Sequence, residues 1–315
     1  MTKALAVLSY PNSNNLGDFV QSIAAQKWAG AETTSVLNRD QLHRYDGPKV
    51  NLIMNGWFME APYHWPPSEQ ISPLFISFHL NPTAKKGMLT PHGISYFKKH
   101  QPIGCRDHYT QNLLSGYGIK TYYSGCLTLT LKRSDFLKKN HTRKGIYVIS
   151  PMERLNPENA PSPKGLLQKG LLLFKKRNKQ KRYEGAMKRL DLFLEKQKSP
   201  IYFRSQLRDP NTLLEQERIE EAKKHLREIA NAALVITSRI HTALPAVAFG
   251  TPVLFLSDGL EHPNQKSRFE GMEPYFPILT TEELHLWEER FPKPSEEHLP
   301  LVERMEKERG NLLKD

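Results

Sequence analysis

The stretch from Ala232 to Leu256 constrains the fold more than any other part of the chain. An apolar run, Leu234 to Thr237, meets a turn carrying Ser238, Arg239 and His241. An apolar helix follows, closed by Gly250, and a second apolar run ends at Leu256. This is the pattern of a buried strand, a helix and a second buried strand. In open parallel sheets, ligands sit beyond the carboxyl ends of the strands, where the next helix offers free N–H groups and its positive dipole end. Arg239 and His241 fall at that position, so a guanidinium and an imidazole would receive a phosphate or carboxylate group. The plainer alternative makes Arg239 a surface charge paired with an acid and His241 a hydrogen-bonded helix-start residue. Because both lie in an otherwise apolar stretch, where an unpaired charge is costly, the anion site is the stronger reading. A membrane span is excluded, because Arg239, His241, Pro245 and Pro252 cut the segment into runs too short to cross a bilayer.

Elsewhere, apolar runs alternate with helical patterns. Strands are expected at Lys3 to Ser9, Val50 to Asn55, Leu74 to Phe78, Lys120 to Tyr123, Leu127 to Leu131, Gly145 to Ser150 and Ile201 to Arg204. Helices are expected at Asp18 to Ala29, Thr110 to Ser115 and Leu213 to Ala230, with basic helices running up to Lys198 and a charged helix at the end. Such alternation argues for an α/β fold with parallel sheets. A length of 315 residues favours two domains. The charged, turn-prone stretch from Lys132 to Arg143 is the natural boundary. The expected architecture is therefore two Rossmann-like domains facing across a cleft, residues 1–135 and 144–280, with a helical tail from 281 to 315.

The net charge of +12 points to an acidic partner: nucleic acid, an anionic membrane surface or a charged sugar. The excess concentrates in Lys132 to Lys144 and Lys164 to Arg189. Such runs are usually solvated faces, although Leu166 to Phe174 beside the second run would make a basic amphipathic helix able to rest on a membrane. Nucleic-acid binding has only the charge in its favour. Ala4 to Leu8 is too short for a secretory signal, and Cys105 and Cys126 lack both metal-ligand spacing and disulfide density, so a cytoplasmic protein is expected, with the inner membrane surface as a further place of work.

Three further turns could carry chemistry. Asn15, Gly17, Asp18 and Gln21 follow the first strand and open the first helix, where glycine admits a ligand and Asp18 offers a carboxylate. By themselves they read equally as a capped turn. Ile103 to Asp107 reads as a second turn, with Arg106 able to fork onto an anion or to pair with Asp107. His79 ends the expected strand from Leu74, and Lys266 and Arg268 follow the last strand of the opening unit. No two of His79, Cys105, Cys126 and His241 are spaced as zinc ligands.

Together these residues resemble the polysaccharide pyruvyl transferase family. The matching blocks are Asn15 to Asp18 with Gln21, Asn55 to Phe58, Phe75 to His79, Pro102 to Asp107 with Thr110, Ser124 to Thr130, and Ser238 to His241 with Ala248 to Val253. The resemblance implies a GT-B-like fold and transfer of a pyruvyl group from phosphoenolpyruvate to a sugar of a cell-surface polysaccharide or its lipid-linked precursor. No cofactor or metal is implied. It places acceptor recognition in the first domain, through Asn15, Gly17, Gln21 and His79, and the donor in the second. His241, Arg239 and Asp18 would be catalytic, with Arg106, Ser238, Thr242, Lys266 and Arg268 holding the donor. The alternative is a glycosyltransferase of similar architecture using a nucleotide sugar.

Overall fold

The structure is a computed structural model that describes residues 5–30, 33–58, 61–138, 140–159, 166–209 and 213–312. Two parallel sheets form its frame. The first contains β1 (Leu5–Ser9), β2 (Thr33–Asn38), β3 (Val50–Ile53) and β5 (Ile71–Leu74) in the order β2-β1-β3-β5. The second contains β9 (Ile146–Ile149), β10 (Ile201–Arg204), β11 (Leu234–Thr237), β12 (Val253–Leu256) and β13 (Ile278–Leu279) in the order β10-β9-β11-β12-β13. Two small parallel pairs complete the set: β4 (Trp57–Phe58) with β6 (His79–Leu80), and β7 (Ile103–Cys105) with β8 (Thr121–Tyr123).

In each large sheet the chain lays its second strand on one side of the first and its third strand on the other. The neighbouring loops after those first and third strands therefore diverge, and a crevice opens between them. In the first sheet the crevice follows β1 and β3; in the second it follows β9 and β11.

The helices are α1 (Leu16–Ala29), α2 (Lys85–Met88), α3 (Pro91–Lys99), α4 (His108–Ser115), α5 (Leu166–Glu195), α6 (Glu215–Asn231), α7 (Ile240–Ala248), α8 (Pro263–Lys266) and α9 (Leu299–Leu312). Helix α1 is buried along nearly its whole length and packs on β1, α6 and α7. Its Phe19, Val20 and Ile23 share one core with Val7 of the first sheet, Val235 of the second, and Ala243 and Leu244 of α7. Burial of most of the helix explains why its apolar residues are spread around it rather than confined to a stripe, with Asp18, Gln21 and Ser22 buried among them.

The unit from Ala232 to Leu256 folds as its pattern demands, into β11, α7 and β12. Four other expectations need correction. Leu127 to Thr130 is a short 3-10 helix, because the Thr130 hydroxyl turns back to the Leu127 carbonyl at 2.7 Å while Leu127 and Leu129 drop into the core beside α1 and α7. The strand expected at Leu74 to Phe78 is displaced: β5 ends at Leu74, and Ser77 takes a left-handed backbone (φ 59°) that breaks the run before β6. Ile103 to Cys105, read as a turn, is strand β7, which pairs with a segment 16 or more residues further on. The basic helices expected before Lys198 are one helix, α5; the side chains of residues 166–175, including the leucines of the possible membrane face, lie outside the described residues. No helix among the described residues is long and apolar enough to cross a membrane.

Candidate functional site

Three strand-to-helix junctions converge. Helix α1 starts behind Asn15, whose Oδ1 accepts from the Gly17 N–H at 3.0 Å. Helix α4 starts behind Asp107, whose carboxylate accepts from the Thr110 N–H at 2.9 Å. Helix α7 starts behind Arg239, with no side chain capping it. Gly17 and His241 touch: a β-carbon on Gly17 would lie 3.0 Å from the His241 Cβ and 2.5 Å from the Gln206 Nε2. Only glycine admits that approach of α1 to α7.

Around the junctions lies a group of buried cations and imidazoles. Arg106 is fully buried, yet Nε, Nη1 and Nη2 have no hydrogen-bond acceptor among the described residues. Its ion-pair partner among the described residues is the Asp107 carboxylate, 3.5 Å from Nε. That carboxylate is already committed to His79, whose Nδ1 lies 2.5 Å away. A carboxylate accepts, so His79 Nδ1 carries the proton and Nε2 presents a lone pair with no partner. Burial and the Arg106 charge pull the His79 pKa down to about 4, against the pull of Asp107. Burial would raise the Asp107 carboxyl, but His79 and Arg106 hold it below its usual range.

His241 is buried with Nε2 unpartnered, and burial together with Arg106, Arg268, His79 and Arg239 drives its pKa well below the ordinary histidine value. Arg268 lies over the Trp57 ring at 4.6 Å, donates to Gln265 at 3.2 Å, and is depressed to about 9 by burial and by Arg106, Arg239 and Arg154. Arg239 is depressed to about 10, chiefly by burial, and is ion-paired to Glu153. Asp18 hydrogen-bonds Ser13 at 2.6 Å and Gln21 at 3.3 Å; burial raises its pKa despite the opposing charges of Arg39, Arg268 and Arg239.

A cavity of about 550 Å³ opens beside this group. The loops of the first sheet's crevice contribute Asn12 to Asn15, Asp18 and Trp57; those of the second contribute Glu153, Arg154 and Arg239. Helix α5 adds Lys179. Three non-glycine residues with positive φ occur among the described residues: Ser77, Ser150 and Met152. Ser77 lies two residues before His79, and the other two lie just before Glu153 and Arg154. Left-handed backbone at non-glycine positions is costly and concentrates where side chains must be aimed.

The structure thus brings Asp18, Gln21, Gly17, His79, Arg106, Arg239, His241 and Arg268 into one neighbourhood. Of the remaining predicted residues, only Asn15 lines the cavity. The Thr242 hydroxyl is committed to Gln206 at 2.5 Å and His225 at 3.0 Å. The Ser238 hydroxyl donates to the Leu256 carbonyl at 2.7 Å and accepts from the Met152 N–H at 2.9 Å, which fixes the loop before Glu153. The Asn15 side chain accepts from both Gly17 and Gln206, so it serves as a cap at the cavity wall. Lys266 is exposed and lines no part of the cavity.

Gln206, Glu153, Arg154, Asp107 and Trp57 escaped the sequence reading as functional groups. Glu153 and Arg154 follow the carboxyl end of β9, so the positional rule that found Arg239 applies to them too. Nothing local marks Gln206, whose partners Asn15 and Thr242 are far away in sequence. Among the described residues no group of three metal-ligating side chains could hold a metal ion.

A buried guanidinium without an acceptor, Arg106, and two buried imidazoles with an unpartnered Nε2, gathered beside helix N-termini beyond parallel strands, make a site suited to an anionic group. The family profile of the polysaccharide pyruvyl transferases matches residues 15–259, and the chain belongs to that family. It is therefore a transferase of polysaccharide biosynthesis. Among solved structures the chain is similar to a functionally uncharacterized protein of Klebsiella pneumoniae subsp. pneumoniae NTUH-K2044. Identity is 13%, the TM-score 0.48, and the match covers 89% of this chain and 93% of that one. No curated protein matches the chain.

Proposed function

We propose that the chain transfers the pyruvyl group of phosphoenolpyruvate to two hydroxyls of an acceptor sugar, forming a pyruvate ketal and releasing phosphate. The observation that carries this reading is Arg106, a fully buried guanidinium with no hydrogen-bond acceptor. A buried, unsatisfied cation is costly unless a ligand completes it. Phosphoenolpyruvate supplies both a phosphate and a carboxylate, which suits several arginines around one small space.

In the reaction, the methylene carbon of the donor takes a proton and becomes the methyl group. One sugar hydroxyl attacks the central carbon, the bond from that carbon to the phosphate oxygen breaks, and a second hydroxyl closes the ketal. Of the two hydroxyl protons, one balances the proton delivered to the methylene and the other leaves with phosphate. Arg106, Arg239 and Arg268 hold the donor. His241 delivers the proton. Burial and the neighbouring cations keep its ring neutral; a bound multiply charged anion offsets the cations and raises its pKa. Asp18, raised by burial and lining the cavity, accepts the acceptor's proton. His79, held by Asp107, presents Nε2 as the second proton acceptor.

The strand orders and the crevice at the carboxyl end of each sheet support two Rossmann-like units facing across a cleft in a GT-B-like arrangement. Their bounds are 1–135 and 144–280, with 281–315 as a tail. Thermal denaturation with added phosphoenolpyruvate, or with UDP-glucose, tests the donor. A rise in Tm with phosphoenolpyruvate that Arg106→Met abolishes is the expected result. Stabilisation by the nucleotide sugar alone would overturn the assignment.

A further inference from the structure

The cavity carries more positive charge than the donor requires. Arg39 is joined to Asp40 through two contacts of 2.9 and 3.2 Å, and Arg239 to Glu153. Asp18 is held by Ser13 and Gln21. Arg154 and Lys179 line the same cavity with neither a hydrogen bond nor an ion pair among the described residues. On that wall Arg154 is exposed and Lys179 half-buried, and burial followed by the Arg154 charge holds the Lys179 ammonium below its ordinary range. The Arg154 charge also weighs on Arg268, after burial, Arg106 and Arg239.

Two cations within range of each other and without a carboxylate between them repel. An anion seated between them removes that cost and gains a forked contact from the guanidinium and a point contact from the ammonium. We propose that Arg154 and Lys179 form a second anion subsite, which takes a phosphate or diphosphate carried by the acceptor sugar. The word acceptor rests on the pyruvyl-transfer reading; the subsite itself does not. The chemistry fixes where that phosphate can sit. Ketal formation uses two hydroxyls, so the charged group must occupy a different position of the sugar, and the anomeric carbon is the one at which biosynthetic sugars are linked to phosphate. A cavity of about 550 Å³ has room for such a molecule beside the donor. The subsite also gives a task to one residue of the basic helix α5, which the donor chemistry leaves unused.

Calorimetric titration of the full chain tests the proposal. Inorganic diphosphate is titrated into protein saturated with phosphoenolpyruvate, so that the donor group is already filled. Diphosphate is expected to bind, and Arg154→Ala with Lys179→Ala to weaken it tenfold or more while phosphoenolpyruvate affinity changes less than twofold. Glucose 1-phosphate, UDP-glucose and geranyl diphosphate then identify the carrier. Equal affinities assign the phosphate alone, a gain for UDP-glucose assigns a nucleotide-linked sugar, and a gain for geranyl diphosphate assigns a prenyl-linked one. Diphosphate that competes with phosphoenolpyruvate, or that binds the double variant unchanged, overturns the subsite. Should phosphoenolpyruvate fail to bind while diphosphate still depends on Arg154 and Lys179, the donor assignment falls and the subsite stands.

Discussion

His225 and His241 lie on neighbouring helices at the same depth, and both are held neutral by burial, yet they belong to different kinds of region. His225 is pulled down to about 3 by burial and Arg208, and its Nε2 meets the Thr242 hydroxyl at 3.0 Å. From there a seam runs through Gln206 to Asn15, and each polar group has a partner. His241, one residue before Thr242, has an unpartnered Nε2 and shares its surroundings with Arg106, Arg268 and Arg239. Burial is therefore no guide to role in this protein. What separates the regions is whether the buried groups satisfy one another: the seam closes on itself and holds the helix junctions together, whereas the Arg106 guanidinium and the His241 Nε2 are left without partners among the described residues.

The sharpest way to break this contrast is Arg106→Met. Loss of a buried charge partner should lower kcat/KM by about 10³ or more, while Tm holds or rises because a poorly satisfied guanidinium has gone. A large fall in Tm would show that Arg106 belongs with the seam.

A smaller effect is expected of His241→Asn, a fall of about 10² to 10³ in kcat with donor binding retained. The sign of the pH dependence follows from the depressed pKa. Free His241 is neutral at pH 7, and bound phosphoenolpyruvate raises its pKa, so binding takes up a proton and tightens as pH falls from 8 to 6. Calorimetry in two buffers of different ionisation enthalpy reads the uptake, which the Asn variant should lose.

Thr242→Val should do the least to catalysis. It leaves Gln206 and His225 without their shared hydroxyl, lowers stability by about 1 to 3 kcal/mol in urea titrations, and changes kcat/KM no more than a few-fold. A catalytic loss as large as that of His241→Asn would merge the two regions.

Much of this arrangement could be read before folding. The unit β11, α7 and β12 followed from apolar runs and a closing glycine, and its place in a parallel sheet pointed to Arg239 and His241. Gly17, Asp18 and Arg106 followed from the same rule of strand ends. The seam could not be read that way, since Gln206 earns its place through Asn15, 191 residues away in sequence. Glu153 was hidden for a related reason: its meaning depends on facing Arg239, and no spacing along the chain records that. Local alternation also misled at Leu127 to Thr130, where leucines two apart were pinned by two separate helices rather than by a strand's pleat.

Helix α1, finally, bears on how substrates enter. Because its apolar side chains are set into the core of both sheets at once, the halves of the molecule cannot swing like jaws without tearing a shared wall. The site is closer to a lock than to a clamp, and its tumbler is small. Glu153 already sits on Arg239, so an anion that is to reach this guanidinium calls for one carboxylate to turn aside.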